Sequence, residues 1–495
     1  MMKFPGINGM FINEGLLIKQ GSKGLSGISV PSCGLKERDI NKKARELINE
    51  KYIRKKDPCL PEVSEPDVVR HFTRLSSWNM CVDLNFYPLG SCTMKYNPRI
   101  NEIVSSMGNI RSLHPLTPGR LVQPVLKIIY NFELMLKELT GLDAFVFSPQ
   151  AGAAGEFTGL KIVKKYFESK GEDRHIILMP DSAHGTNPAS SSLAGFIPVE
   201  IKTGPKGYIE AKEVQKYITP DVAGIMITNP NTSGLFEKDI AAICEAMHKN
   251  GSVVYMDGAN FNAFIGSIRV KDLGIDLIQL NLHKTFSTPH GGGGPGGGAV
   301  GVVDYLRDFL PVPYVVFDGQ NYGLFQGGKN AIGRISPFLC NFGVLIKAYA
   351  YLLSLGSSNI PSVSEIAILN ANYVKKRMKG IFKGADLFEE ELCMHECVFT
   401  DKAIEENKIS TLELAKLLID YGFHPPTVYF PKNIHGAIMI EPTETESIRT
   451  LDNFIRAIEK IRFKAKKSSA LKSPKKTKVK RVNEVLANKN PVYRY

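Results

Sequence analysis

One stretch constrains this chain more than any other: an apolar strand that delivers a lysine into backbone almost bare of side chains. Ile275 to Leu282 is mostly apolar and closes on Asn281-Leu282-His283-Lys284-Thr285-Phe286. Ser287-Thr288-Pro289-His290 follows, then a glycine-rich run from Gly291 to Gly298. A planar group can approach such main chain without meeting a Cβ. A lysine beside it can react with an aldehyde, and the loop gives the adduct room. A strand-ending lysine is also an ordinary way to meet water, so its meaning depends on its surroundings.

Upstream, Val253-Val254-Tyr255-Met256-Asp257-Gly258-Ala259-Asn260 reads as a buried strand ending in a carboxylate. Strand-end aspartates ordinarily cap turns or helices. Asp257, however, precedes Lys284 by one strand-and-crossover length. In a parallel sheet both then open on the same carboxyl-terminal edge, where ligands bind. Ser148-Pro149-Gln150-Ala151-Gly152-Ala153-Ala154-Gly155-Glu156 follows the apolar Ala144–Phe147 and precedes a helical pattern, Phe157 to Phe167. Small residues at a helix start leave backbone N–H groups free for a phosphate, and the helix dipole adds attraction. Ala151, Gly152 and Ala153 are the expected contacts. No Gly-Lys-Ser/Thr follows, so this is not a Walker loop. After the strand Ile176–Met179, Asp181-Ser182-Ala183-His184-Gly185-Thr186-Asn187-Pro188-Ala189 offers His184 as a flat ring able to stack on a planar group. An amine, a carboxylate to hold a pyridine nitrogen protonated, an anion site and a stacking ring fit pyridoxal phosphate chemistry.

Strand ends carrying Gly, His, Asp and Lys in that order match the large domain of aspartate-aminotransferase-like pyridoxal enzymes. That match implies an α/β chain of fold type I, with a mainly parallel sheet and a smaller C-terminal α/β domain. The wording is more specific still. Ser182 to Ala189, Asp257-Gly258-Ala259-Asn260, Asn281 to Thr285 and Pro289-His290-Gly291-Gly292-Gly293-Gly294-Pro295-Gly296 resemble the glycine decarboxylase (P-protein) family of the glycine cleavage system. Gly90-Ser91-Cys92-Thr93-Met94-Lys95-Tyr96-Asn97-Pro98 agrees, as do Phe423 to Pro431 and Glu441-Pro442-Thr443-Glu444-Thr445-Glu446. The resemblance runs over nearly the whole chain. That family occurs as one long chain of two homologous halves or as two subunits. At 495 residues, with the lysine motif present, this chain resembles the cofactor-binding subunit 2.

The resemblance implies pyridoxal 5'-phosphate bound covalently to Lys284, with Asp257, His184, Ala259 and the Ala151–Ala153 turn around it. It implies decarboxylation of glycine and transfer of the aminomethyl group to the lipoyl arm of H-protein. A separate subunit 1 lacking the lysine is expected, in an α2β2 hetero-tetramer. His283 is a candidate for proton handling or for shaping a channel, with packing at the strand end as its plain alternative. The loop Thr228-Asn229-Pro230-Asn231-Thr232 is expected to line the site, and Glu441 to be structural. No metal is expected. The nearer rival is another fold-type I enzyme, an aminotransferase or amino-acid decarboxylase working without a lipoyl partner. The more distant one is a non-catalytic basic binding protein.

Composition fits an ordinary globular chain, 43% hydrophobic and 22% charged. No apolar run reaches membrane-spanning length, so no membrane partner is expected. Residues 1–6 show no signal-peptide pattern. Cysteines at 33, 59, 81, 92, 244, 340, 393 and 397 form no Cys-x-x-Cys. Cys393-x-x-x-Cys397 around His395 suggests zinc, but no second ligand pair follows at ribbon spacing. Reduced thiols in a cytoplasmic protein are the reading. The net charge of +13 is local. Lys460 to Arg481 holds eleven Lys or Arg and no acid, and removing them leaves 62 − 11 = 51 bases against 49 acids. Without interleaved aromatics, a solvated, partly docked tail is favoured over nucleic-acid binding.

Four regions are expected: an irregular arm to about 125, a large cofactor-binding domain 126–355, a small α/β domain 356–462, and a basic tail 463–495. Strands are expected at Ala144–Phe147, Ile176–Met179, Gly224–Thr228, Val253–Met256, Leu277–Leu282 and Gly298–Val303. Helices are expected at Asn341–Leu355, Ser364–Lys379, Leu412–Tyr421 and Thr443–Ile461, with a strand near Thr427–Phe430.

Overall fold

The computed structural model describes residues 14–25, 27, 37–56, 58, 60–291, 296–382, 384–386, 388, 390–405, 408–464, 467–477 and 480–491. The middle of the glycine-rich run (292–295), Cys33 and Cys59 lie outside the described residues, as do parts of the basic tail. By internal contacts the chain divides into two units, Met1–Cys81 and Val82–Tyr495.

In the first unit, the helices Glu37–Leu47 and Glu65–Ser76 are the main elements. Ser64 caps the second helix through its hydroxyl. The Glu14 carboxylate accepts from His71 Nδ1 at 2.7 Å and from Arg74 at 3.0 Å.

The second unit is organised by seven strands: β1 Ala144–Val146, β2 Ile176–Pro180, β3 Ile197–Ile201, β4 Val222–Thr228, β5 Val253–Gly258, β6 Leu277–Asn281 and β7 Gly298–Val302. Their order across the sheet is β1-β7-β6-β5-β4-β2-β3. Only β7 runs against its neighbours; β2 to β6 pair in parallel wherever they meet. β4, β5 and β6 are buried along their whole length, because helices cover both faces. Their apolar content is what made them visible in the sequence.

β3 was not expected. It is an edge strand whose residues, apart from Ile201, are exposed or half-exposed, and Pro198 sits inside it. Its sequence therefore lacks the apolar run of a central strand, and an edge tolerates the missing N–H. The large core gathers around this sheet from Val122 to Val363.

A second, separate core holds Phe86, Phe382, Phe399, Phe454 and Ile458, around the strands Cys397–Phe399, Thr427–Val428 and Ile438–Ile440. Its helices are the C-terminal part of Ile360–Ile381, then Thr411–Asp420, which opens on a Ser410–Glu413 capping box, and Ile448–Lys464. The helix expected from Thr443 begins at Ile448. The carbonyls of Thr443 and Glu446 are bonded by the Asn370 amide instead. The tail docks at Asp420, whose carboxylate accepts from the N–H groups of Lys475 and Lys476. Among the described residues, no single helix is long and apolar enough to cross a membrane.

Candidate active site

The strand register builds the site. Thr228 of β4, Asp257 of β5 and Gln279 of β6 are lateral neighbours. Both flanking side chains turn toward the carboxylate. Gln279 Nε2 donates to Asp257 Oδ1 at 2.5 Å, and Thr228 Oγ1 donates to Oδ2 at 3.4 Å. Asn187 Nδ2 adds a bond to Oδ2 at 3.2 Å, and the Ala259 N–H one to Oδ1 at 3.0 Å. Four donors thus fix a carboxylate that is 2% exposed.

Alternation does the rest. With a period of two, Gln279 and Asn281 leave β6 on one face, and His283 follows in the turn beyond the strand. That face meets the start of the helix Gly152–Lys170. A Cβ on Gly152 would lie 2.6 Å from Asn281 Oδ1, so only glycine lets the helix end come this close. The helix has no side-chain cap at Ala151. The Asn281 Oδ1 beside it is buried without a hydrogen-bond partner among the described residues. Open first-turn N–H groups suit an anion, whereas the Asn281 Oδ1 is an acceptor and calls for a donor.

Gly152, Ala153, Glu156, His184, Thr186, Thr228, Thr232, Asp257, Ala259, Asn281, His283, Lys284 and Ser91 line one cavity of about 180 Å³. Seven of the eight expected site residues therefore share it. Ala151 does not line it, and its carbonyl closes the first helical turn with Gly155 N–H at 2.9 Å. A wider apolar cleft of about 530 Å³, lined by Met135, Leu139, Leu352 and Ile360, lies elsewhere and brings no such set of acids and bases together.

Lys284 Nζ donates to the Ser91 carbonyl at 2.8 Å. Ser91 and Thr93 have φ of 64° and 51°, the left-handed region that side chains resist. Two buried carboxylates hold this turn. Ser91 N–H donates to Glu396 Oε2 at 2.7 Å, and the N–H groups of Cys92 and Thr93 donate to Glu441 Oε2 at 3.1 and 2.7 Å. Burial pushes both acids up, Glu396 well above the carboxylate range, where the nearby Glu441 carboxylate adds to the effect. Burial also pushes Cys92 up to about 11. His395, fully buried beside this pair, is held down to about 3 by burial. Cys393 and Cys397 are free thiols in the small core.

His283 packs edge-on to His290, with centroids 5.0 Å apart. Burial, then the Lys284 ammonium, holds His283 down to about 4, so its ring is neutral at physiological pH. Partial desolvation, then Lys284, also lowers His184. Glu156 is pushed up to about 7 by burial and by the Asp257 carboxylate. The sequence reading gave no role to Glu156, Thr186, Asn187, Gln279 or Asn281. For Gln279 and Asn281 the signal was available: two amides in an otherwise apolar strand need partners.

A Kosmotoga olearia protein named probable glycine dehydrogenase (decarboxylating) subunit 2 is 48% identical over 97% of this chain and 99% of its own. The chain belongs to the glycine dehydrogenase (decarboxylating) subunit 2 family. Members of this subunit 2 family from Thermotoga maritima (47%, 97% and 99% covered) and Pyrococcus horikoshii (48%, 90% and 90%) are similarly related. Residues 363–485 match the family described as Glycine dehydrogenase, C-terminal domain. Residues 155–294 match Aminotransferase class-V. The fold is shared with a crystal structure of glycine decarboxylase (P-protein) of the glycine cleavage system in inhibitor-bound form. The TM-score is 0.71 at 16% identity, over 87% of this chain and all of that one. A NifS-like protein shares it more distantly, with a TM-score of 0.59. The expected α/β architecture of fold type I is borne out.

Proposed function

We propose that this chain binds pyridoxal 5'-phosphate on Lys284 and decarboxylates glycine, passing the aminomethyl group to the lipoyl arm of H-protein. The observation that carries the reading is the row Thr228–Asp257–Gln279 with Lys284 across the same cavity. When bound, the cofactor supplies an electron sink for the pair left behind as carbon dioxide departs. Asp257, held by four donors, would hold a proton on the ring nitrogen. The N–H groups of Gly152 and Ala153, with the Nδ2 donor of Asn281, would hold the phosphate. His184 would cover one ring face, and Ala259 would leave room beside Asp257. The neutral His283 is suited to accept or return a proton next to the Lys284 amine.

The reading extends to partners and place. The family name, subunit 2, implies a partner subunit, and we infer that it is subunit 1 in an α2β2 assembly. The cytoplasm is the expected compartment, in keeping with the six free thiols among the described residues. The core around 371–470 would serve as the small domain over the large one.

The test is the visible spectrum of the purified chain with pyridoxal phosphate, before and after glycine, beside Lys284→Ala. A yellow band that glycine perturbs, and that the variant cannot form, supports the reading. Glycine–bicarbonate exchange that needs subunit 1 and H-protein supports the finer assignment. Turnover of larger amino acids by this chain alone would favour an aminotransferase or an ordinary decarboxylase. No colour at all would refute a self-sufficient site.

A further inference from the structure

Glu156, Thr186 and His184 form a chain of contacts whose protons can be counted. Thr186 Oγ1 lies 2.8 Å from Glu156 Oε1 and 2.8 Å from His184 Nδ1. The Thr186 N–H also donates to His184 Nδ1, at 3.2 Å. An Nδ1 that accepts this N–H carries no proton of its own. The Thr186 hydroxyl has a single hydrogen for two neighbours. If it went to Glu156, the Oγ1–Nδ1 contact would set two lone pairs face to face. It therefore goes to His184 Nδ1, and Glu156 must donate to Thr186 Oγ1.

We propose that Glu156 is a positioning residue that carries a proton and, through Thr186, fixes His184 as the neutral tautomer with its hydrogen on Nε2. Ser190 Oγ donates to the other Glu156 oxygen at 3.1 Å, leaving Oε1 as the protonated one. The charges facing this chain are consistent. The Asp257 carboxylate and the Tyr255 phenol flank Glu156, and Asn187 bonds to it beside Thr186 and Ser190; Lys284, Lys432 and the opposing Asp257 carboxylate face His184. A protonated Glu156 spares Asp257 a second negative charge beside it. It also leaves His184 Nε2–H as a donor at the cavity, with the ring uncharged. The burial and the Asp257 charge that raise Glu156 to about 7 act in the same sense.

The proposal rests on the site reading only for its use, since the proton count needs no cofactor. Its test is nitrogen-15 NMR of histidine-labelled chain without pyridoxal phosphate, with His184→Gln to assign the signal. At about pH 6, Nδ1 of His184 should read as unprotonated and Nε2 as protonated. As pH rises through about 7, ionised Glu156 reclaims the hydroxyl hydrogen; Nδ1 keeps only the Thr186 N–H, and its signal should move further from the protonated position. Glu156→Gln keeps a donor to Thr186 at every pH, so its His184 signals should stay at the low-pH positions. Thr186→Val should break the link while leaving Glu156 in place. A protonated Nδ1 at about pH 6, or identical titrations of His184 in wild type and Glu156→Gln, would overturn the proposal. A separate addition of pyridoxal phosphate tells the two readings apart. If the tautomer behaves as stated and no colour develops, the relay stands and the cofactor assignment falls.

Discussion

Lys95 gives the sharpest test of how the site is held. It is 2% exposed, and its ammonium donates to Glu444 Oε1 at 2.7 Å, to the Thr285 carbonyl at 2.8 Å and to Tyr351 Oη at 3.1 Å. Thr285 follows Lys284 directly, so this one side chain ties the site loop to the Glu441–Glu446 segment. Removing one partner of a buried ion pair costs about 3–5 kcal/mol, because the other is left unpaired. Glu444 Oε1 would keep only the Tyr351 hydroxyl, at 3.2 Å, and its Oε2 has no partner among the described residues. Lys95→Met should therefore cost about 3 kcal/mol. At roughly 2.1 cal/mol/K per residue over the Val82–Tyr495 unit, that lowers Tm by about 3–4 °C.

Urea titrations of wild type, Lys95→Met, Glu444→Gln and the double variant read the loss directly. The double variant should regain much of it, since no charge is left stranded. Burial pushes Lys95 down, but the Glu444 carboxylate overrides it and holds the ammonium above the usual lysine range. A raised lysine contributes fully below its unfolded value of about 10.4, so the loss should be the same at about pH 6 and about pH 8.5. A single-variant cost below about 1 kcal/mol, with a double variant equal to the sum of the singles, would refute this account.

Other consequences can be measured on the same protein. Gly152→Ala puts a methyl into the Asn281 amide and should weaken binding of pyridoxal phosphate by about tenfold or more, near 1.4 kcal/mol, in an absorbance titration. Unchanged affinity would remove the helix start from the phosphate site. Asp257→Asn keeps the shape but not the charge. Glycine–bicarbonate exchange should fall roughly 10²–10³-fold while the cofactor still binds, and a smaller drop would mean the ring nitrogen is held by something else. His248 Nε2 lies 2.8 Å from Asp276, and that hydrogen bond raises the histidine above its usual value. Its contribution should be fully present below about pH 6.5 and fade as pH rises through the raised value. His248→Gln should flatten that part of the stability curve, and an unaltered curve would count against the pairing.

Much of the fold was legible because the buried strands β4, β5 and β6 are mostly apolar, and each carries a polar residue at or next to its end on the same edge. The edge strand β3, with Pro198 and Glu200 in it, carries no such mark. The start of the helix expected from Thr443 was misplaced for a related reason: Thr443 to Ser447 has helix-compatible residues, but Asn370, far away in sequence, takes their carbonyls. The lysine, the aspartate, the histidine and the glycine turn each belong to a local motif and could be read singly. Their second partners could not. Ser91 and Lys284 are 193 residues apart, and Glu396 and Glu441 reach back more than 300 to the Ser91–Thr93 turn. No periodicity encodes such distances. The hydrogen-bond demands of Gln279, Asn281 and Glu156 were visible as polar residues in apolar surroundings, but not which atoms would answer them.

The clamp on Ser91–Thr93 also bears on the order in which a ribosome releases this chain. Domains fold from the amino end as synthesis proceeds. The seven strands and Lys284 have all emerged by Val302, well before Glu396 and Glu441. Until those two acids arrive, the N–H groups of Ser91, Cys92 and Thr93 lack their carboxylate acceptors, and the left-handed turn is held only by Lys284 and by Asn262 at Thr93. A nascent chain would pass through a stage with its sheet built and its lysine still unguarded. The last hundred residues are in this sense the latch that closes the site, and a chain shortened before Glu441 would be expected to keep its core and lose its chemistry.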